Sequence, residues 1–172
     1  ESKLIPREAL VISLETSREL PPVKMGEGVI IRVGDRASIF DSRATRFLAE
    51  VGLQESKAES GPETKFKFQR ALMSGGTCEG TAYQELGFQT AAVCVALGNY
   101  HNCGEKNIIR EEFVSVQDGV GMAQLLVAAA LEMRNFERHV KRLPERLSKY
   151  GREARANFKR FKAQALTGSK AA

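Results

Sequence analysis

The chain has 172 residues, of which 42% are hydrophobic and 27% charged, a balance that suits one globular domain with a substantial core and excludes a disordered or fibrous polypeptide. Its longest apolar stretch is broken by Gly, Gln and Asn well short of the ~20 residues a membrane span needs, so no membrane span is expected, and no signal peptide is visible. The formal net charge is +5, from 26 Lys and Arg against 21 Asp and Glu. Residues 132–172 hold twelve of those basic residues and only four of the acidic ones, leaving 14 against 17 in the first 131. A weakly acidic body suits cation binding, and the basic character belongs to the tail.

In chain order, residues 10–14 predict a strand, Glu19-Leu20-Pro21-Pro22 a loop, and residues 29–33 a second strand ended by Gly34-Asp35. Ser42 is placed to cap a helix that carries Ala44, Phe47, Leu48 and Val51 on one face. Residues 57–64 read as a turn-rich connection, and Phe66 and Phe68 alternate as a short third strand. Ser74-Gly75-Gly76-Thr77 opens a tight turn, with Thr77 as N-cap of a short helix through Tyr83 and Leu86 that Gly87 ends. Residues 91–97 are a buried strand, closed by Gly98 and followed by Asn99-Tyr100-His101-Asn102. A helix over 120–136, apolar nearly all round at Leu125, Leu126, Val127, Ala130 and Leu131, predicts burial against a sheet. Strands alternating with helices argue for an α/β layer sandwich.

The tail has a different pattern. Phe136, Val140, Leu143, Leu147, Tyr150, Ala154, Phe158, Phe161 and Ala165 recur at steps of three and four, one apolar stripe on a long helix whose other faces carry Arg and Lys. Pro144 is expected to kink this helix or start a new one, and Gly151 is a second weak point. Such a stripe most often packs on a body or a neighbouring subunit. Binding of the basic faces to nucleic acid or to an anionic membrane is the lesser expectation, and no recognition motif accompanies them. The organisation expected is therefore a body, residues 1–131, and a basic amphipathic extension, residues 132–172.

Chemistry concentrates around the double glycine and the strand after it. His101 lies just beyond the carboxyl end of a buried strand, where open α/β sheets hold their ligands. Glu15 stands where the first strand emerges, and carboxylate and imidazole are donors that Zn²⁺ accepts. Cys78, Cys94 and Cys103 are odd in number and unpaired in spacing, which predicts reduced thiols in a cytoplasmic setting and, for each, a small buried hydrophobe in preference to a ligand. Glu105, Glu111 and Glu112 read as a solvated charge run. Gly75-Gly76 lacks the lysine of a phosphate-binding loop and reads as a turn whose backbone approaches substrate.

Those residues resemble the carboxyl-terminal part of the glutamyl, deblocking and tetrahedral-assembly aminopeptidases, dinuclear metal enzymes of the zinc-exopeptidase group. Gly-Gly-Thr, short helix, buried strand and Tyr-His match in order, as do Ala9-Leu10-Val11-Ile12-Ser13-Leu14-Glu15-Thr16, Lys24-Met25-Gly26-Glu27-Gly28-Val29-Ile30-Ile31 and Phe66-Lys67-Phe68-Gln69-Arg70. The resemblance implies a partial three-layer sandwich of the zinc-exopeptidase type with a C-terminal amphipathic helical extension. It implies a peptide substrate cleaved at its N-terminal bond and a homo-oligomer. It also implies two divalent metals, Zn with Co or Mn as alternatives, of which His101 binds one and Glu15 the other, while Gly75, Gly76, Thr77, Glu79 and Tyr100 meet the substrate. Two metals would polarise the scissile carbonyl and lower the pKa of a bridging water, with a glutamate as general base.

Two positions depart from the family pattern: Cys78 stands where the family has Asp after Gly-Gly-Thr, and Glu15 where it has Asp. The family's first His, its bridging Asp and its Glu-Glu pair all lie upstream of the segment matching Glu15, and fourteen residues precede Glu15 here. The resemblance therefore implies the latter part of a longer polypeptide, inactive by itself and lacking the general base. The competing expectation is a non-catalytic peptide-binding or structural module that kept the fold and lost the metals.

Overall fold

Among the described residues the sheet has five strands: β1 (Leu10–Arg18), β2 (Val29–Gly34), β3 (Phe68–Leu72), β4 (Gln89–Gly98) and β5 (Phe113–Val114). The computed structural model describes residues 4–58 and 66–168, apart from the side chains of Asn107 and of residues 163–168. Most of the turn-rich connection expected over 57–64 lies outside the described residues. Two compact units divide the chain, Glu1–Phe136 and Glu137–Ala172.

In the first unit the strand order is β1-β4-β2-β3, with β5 on the end of β4. The near-continuous apolar run of β4 is buried from 90 to 97, because neighbours pair along both its edges and layers cover both its faces. β1 runs parallel to β4 and β2 antiparallel to it. On one face, Ile30, Ala71, Cys94 and Ala96 pack with Val23 and Met73. Helix α2 (Glu79–Glu85) lies on this side, against β1 and β4. Helices α1 (Ser42–Glu55) and α3 (Val116–Glu132) cover the other face, where Ile12, Phe47 and Leu126 line a common cavity. The result is the three-layer α/β sandwich expected.

Several local boundaries differ from the sequence reading. The cap of α1 is Asp41, not Ser42: its carboxylate accepts from the Ala44 amide at 2.7 Å. The N-cap expected at Thr77 falls one residue later, on Cys78, with no side-chain bond. β3 begins at Phe68, while Phe66 is buried and stacks on the Phe68 ring at 6.0 Å. α3 starts at Val116, capped by Ser115, and a 3-10 turn over Met133–Asn135 ends it early. Its all-round apolar surface is not all buried: Leu125 and Ala129 face the sheet, whereas Val120, Val127 and Leu131 are exposed, since a helix on one side of a sheet can cover only one of its own faces.

The Gly26-Glu27-Gly28 turn has a structural reason for its glycines. Gly28 has φ +97°, and a Cβ there would lie 2.1 Å from the Lys67 carbonyl oxygen. The buried Asp118 carboxylate accepts from the amides of Gly26 at 2.7 Å and Gly28 at 2.9 Å, which ties the turn to α3.

The second unit is one helix, α4 (Phe136–Gly168), which begins at the last residue of the first. It continues through Pro144 without ending, so of the kink or new start expected there the new start does not occur. A proline removes one intrahelical bond, and intact turns on both sides can carry that loss. Leu147, Tyr150, Phe158 and Phe161 of its stripe are exposed. Among the described residues no helix is long and apolar enough to cross a membrane.

Candidate functional site

Parallel pairing fixes where the candidate residues lie. The β1–β4 register runs to Arg18 opposite Leu97, so both strands end at the same edge of the sheet. Glu15 sits opposite Cys94, three residues inside that edge, and His101 follows Gly98 by three. Alternation along β1 puts Ser13, Glu15 and Ser17 on one face. On that face β4 presents only Ala92, Cys94 and Ala96, small enough for the long Arg32 side chain of β2 to cross above them.

Arg32 organises this polar row. Its guanidinium is nearly excluded from solvent, lies 3.9 Å from Glu15 Oε2 and donates to Ser17 Oγ at 3.3 Å, while its Nε has no hydrogen-bond partner. Ser13 donates to Glu15 Oε1 at 2.7 Å. Glu79, exposed at the start of α2 and beside Glu15, has its carboxyl held below the usual range, chiefly by its own backbone amide and in smaller part by the Arg32 charge. Burial pushes the Cys94 thiol up to about 11 against the pull of Ser17 and Arg32, and it raises Cys78 as well. Both sulfurs are neutral thiols at pH 7.

Asp35 builds the floor under the double-glycine turn. It is buried, and its carboxylate accepts from the amides of Ala37, Ser38 and Cys78 and from the Thr81 hydroxyl at 2.6 Å. Burial alone would raise its pKa, but those four donors outweigh it and bring the value down to about 2. The Arg36 amide adds a bond to the Gly76 carbonyl at 3.0 Å. A Cβ on Gly76 would sit 3.9 Å from the Tyr100 hydroxyl, so this turn and the Tyr100 ring are neighbours. Thr77 and Glu79 are exposed beside them.

The His101 turn is conformationally unusual. Asn99, His101 and Asn102 all have positive φ, between 50° and 59°, a region that non-glycine residues enter rarely and often at functional sites. Adjacent rings of Tyr100 and His101 stack at 4.0 Å. The segment before β5 holds the turn: Glu112 Oε1 accepts from the His101 amide at 2.7 Å, and the Glu111 carbonyl accepts from Asn99 Nδ2 at 2.7 Å. The pair read as a solvated charge run is exposed, yet it has this structural task. β5 itself approaches so closely that a Cβ on Gly98 would meet the Phe113 ring at 2.3 Å. A cleft of about 600 Å³ opens beside His101, lined also by Arg18, Glu19, Tyr100, Cys103 and Glu105.

The structure thus brings Glu15 together with Glu79 and Gly76 together with Tyr100, while the cleft beside His101 is not lined by Glu15. Among the described residues no three His, Cys, Asp or Glu side chains gather into a set that could hold a metal ion. The solved structures similar to the chain include TET peptidases. The PhTET1-12s dodecamer superposes with a TM-score of 0.53 at 21% identity, over 70% of this chain and 33% of its own. The TET aminopeptidase of a marine-sediment archaeon of the Thaumarchaeota gives 0.53 at 19%, over 78% and 36%. The TET1 peptidase of Pyrococcus horikoshii, which can assemble into a tetrahedron or a large octahedral shell, gives 0.52 at 19%, over 69% and 32%. The fold is similar to part of the fold of these TET structures. At this identity the likeness concerns fold alone, and the chain spans about a third of their length. No protein-family profile and no curated protein matches the chain.

Arg32, Ser17, Asp35 and Thr81 were not singled out from the sequence. Arg32 carried the one available signal, a charged residue in the middle of Val29-Ile30-Ile31-Arg32-Val33, where burial demands a partner.

Proposed function

We propose that this chain is the carboxyl-terminal part of the catalytic domain of a dinuclear-metal aminopeptidase that removes N-terminal residues from peptides. The observations that support this reading are that, on a TET-like sheet, Glu15 stands beside Glu79 at the start of α2 and the double-glycine turn stands beside Tyr100. Carboxylate and imidazole suit Zn²⁺, Co²⁺ or Mn²⁺. Two such donors are too few for a complete catalytic site, so the remaining ligands and the general base come from sequence outside this chain. When bound, the metals supply Lewis acidity and an activated water.

Within this reading Ser13 and Arg32 orient the Glu15 carboxylate, and His101 is held at the mouth of the sheet by Glu112. The backbone of Gly75 and Gly76 lies against the peptide, the Tyr100 ring forms a wall, and Thr77 and Glu79 line the lip. Glu79, kept ionised, suits the ammonium group of a peptide N-terminus. We extend to the full-length protein a homo-oligomeric assembly, on the analogy of the dodecamer and shells formed by the similar structures, and a cytoplasmic setting from the neutral, unpaired thiols.

A second reading has its own observation. Arg32 beside Glu15 neutralises that carboxylate without a metal, and an uncharged Cys78 replaces the family's Asp, as in a peptide-binding module that lost catalysis. Turnover of aminoacyl anilides by the full-length protein separates the two. The enzyme reading expects hydrolysis that a chelator abolishes and Zn²⁺, Co²⁺ or Mn²⁺ restores. Peptide binding with no turnover under any of these metals would establish the module instead.

A further inference from the structure

Helix α4 has a composition that its own unit does not use. Residues 137–168 carry ten Lys or Arg and three Glu. At 3.6 residues per turn, Leu143, Leu147, Tyr150, Ala154, Phe158 and Phe161 fall on one stripe. Arg146, Arg155 and Lys162 flank it, while Arg138, Lys149 and Arg152 point away. The large side chains of the stripe lie open: Leu147 is 58% exposed, Tyr150 59%, Phe158 78% and Phe161 65%.

We propose that α4 is an interfacial helix that docks on anionic phospholipid bilayers. Its apolar stripe would enter the boundary between headgroups and acyl chains, and its flanking arginines and lysine would reach the lipid phosphates. Charge complementarity selects this partner. A basic amphipathic helix with aromatic and leucine residues on its apolar face lies in the plane of a negatively charged bilayer, where both faces are satisfied together. A nucleic acid would engage the charges and leave Phe158 and Phe161 in water. A second copy would bury the stripe but bring two strongly basic helices side by side. Long Lys and Arg stems let even the flanking charges reach headgroups while their methylenes stay in apolar surroundings.

The test uses the full chain and vesicles of phosphatidylcholine with or without about 30% phosphatidylglycerol. The chain contains no tryptophan, so Phe158→Trp introduces a single reporter on the stripe. Co-sedimentation should be at least about tenfold stronger with the anionic vesicles and should weaken steeply at about 0.5 M NaCl. The Trp emission should move to shorter wavelength only with the anionic vesicles. Phe158→Asp with Phe161→Asp should cost at least about tenfold in binding while far-UV circular dichroism keeps the helix. Equal partition onto both vesicle types, no partition, or full binding by the double variant would overturn the proposal. So would a DNA duplex bound more tightly than the anionic vesicles and insensitive to the double variant, which assigns the helix to nucleic acid. A lipid-free dimer by light scattering that the double variant dissolves assigns the stripe to a second copy and overturns it as well.

Discussion

Asp35 shows how one carboxylate shapes the candidate site. It accepts four hydrogen bonds from two separate segments, the Ala37-Ser38 turn and the Cys78–Thr81 start of α2, and its pKa falls from 3.8 to about 2. A depressed pKa means that folding is stabilised by the ionised form. That contribution is fully present above about pH 4 and is lost as pH falls through about 2, and it amounts to on the order of 2 kcal/mol. Urea unfolding of wild type and Asp35→Asn should therefore differ by a constant amount above pH 4, with the gap narrowing between pH 4 and pH 2. A gap that does not change with pH would show that the network does not depend on the charge. The same residue explains a miss in the sequence reading. Gly-Gly-Thr was legible as a turn, but the carboxylate that fastens it lies more than forty positions away, and no local pattern announces such a contact.

At the scale of elements, two glycines separate backbone need from helix cost. Gly28 adopts φ +97° against the Lys67 carbonyl, whereas a Cβ on Gly119, inside α3, meets nothing within 4 Å. Gly28→Ala should cost more than about 2 kcal/mol in chemical denaturation. Gly119→Ala should gain about 0.5–1 kcal/mol through helix propensity. Similar effects from both would refute the close approach of the Gly26-Glu27-Gly28 turn to the Lys67 backbone as the reason for Gly28. Strand β4 was legible because eight buried positions in a row leave a continuous apolar run. The cap of α1 was missed by one residue because Asp41 and Ser42 are both good caps, and only the geometry of the Ala44 amide chooses between them. β5 gave no signal, being two exposed residues whose pairing with Leu97 and Gly98 is entirely tertiary.

For the molecule as a whole, the α/β layering follows from alternating periodicities, and the sheet order does not. Pairing β1 with β4, about eighty positions apart, is what sets Glu15 opposite Cys94 on the strand that leads to His101, and periodicity carries no information on that pairing. Arg32 is where the two proposed readings part, because its charge 3.9 Å from Glu15 would orient that carboxylate for a metal in the first and replace the metal in the second. The most direct measurement is metal content together with peptide turnover for the full-length protein and its His101→Ala variant. His101 is exposed, so the substitution removes a ligand and little core. The account predicts loss of one bound metal and a fall in turnover beyond the roughly 10–100-fold that outer partners of a metal site cost, with an unchanged melting profile. Unchanged metal content together with unchanged turnover would contradict it.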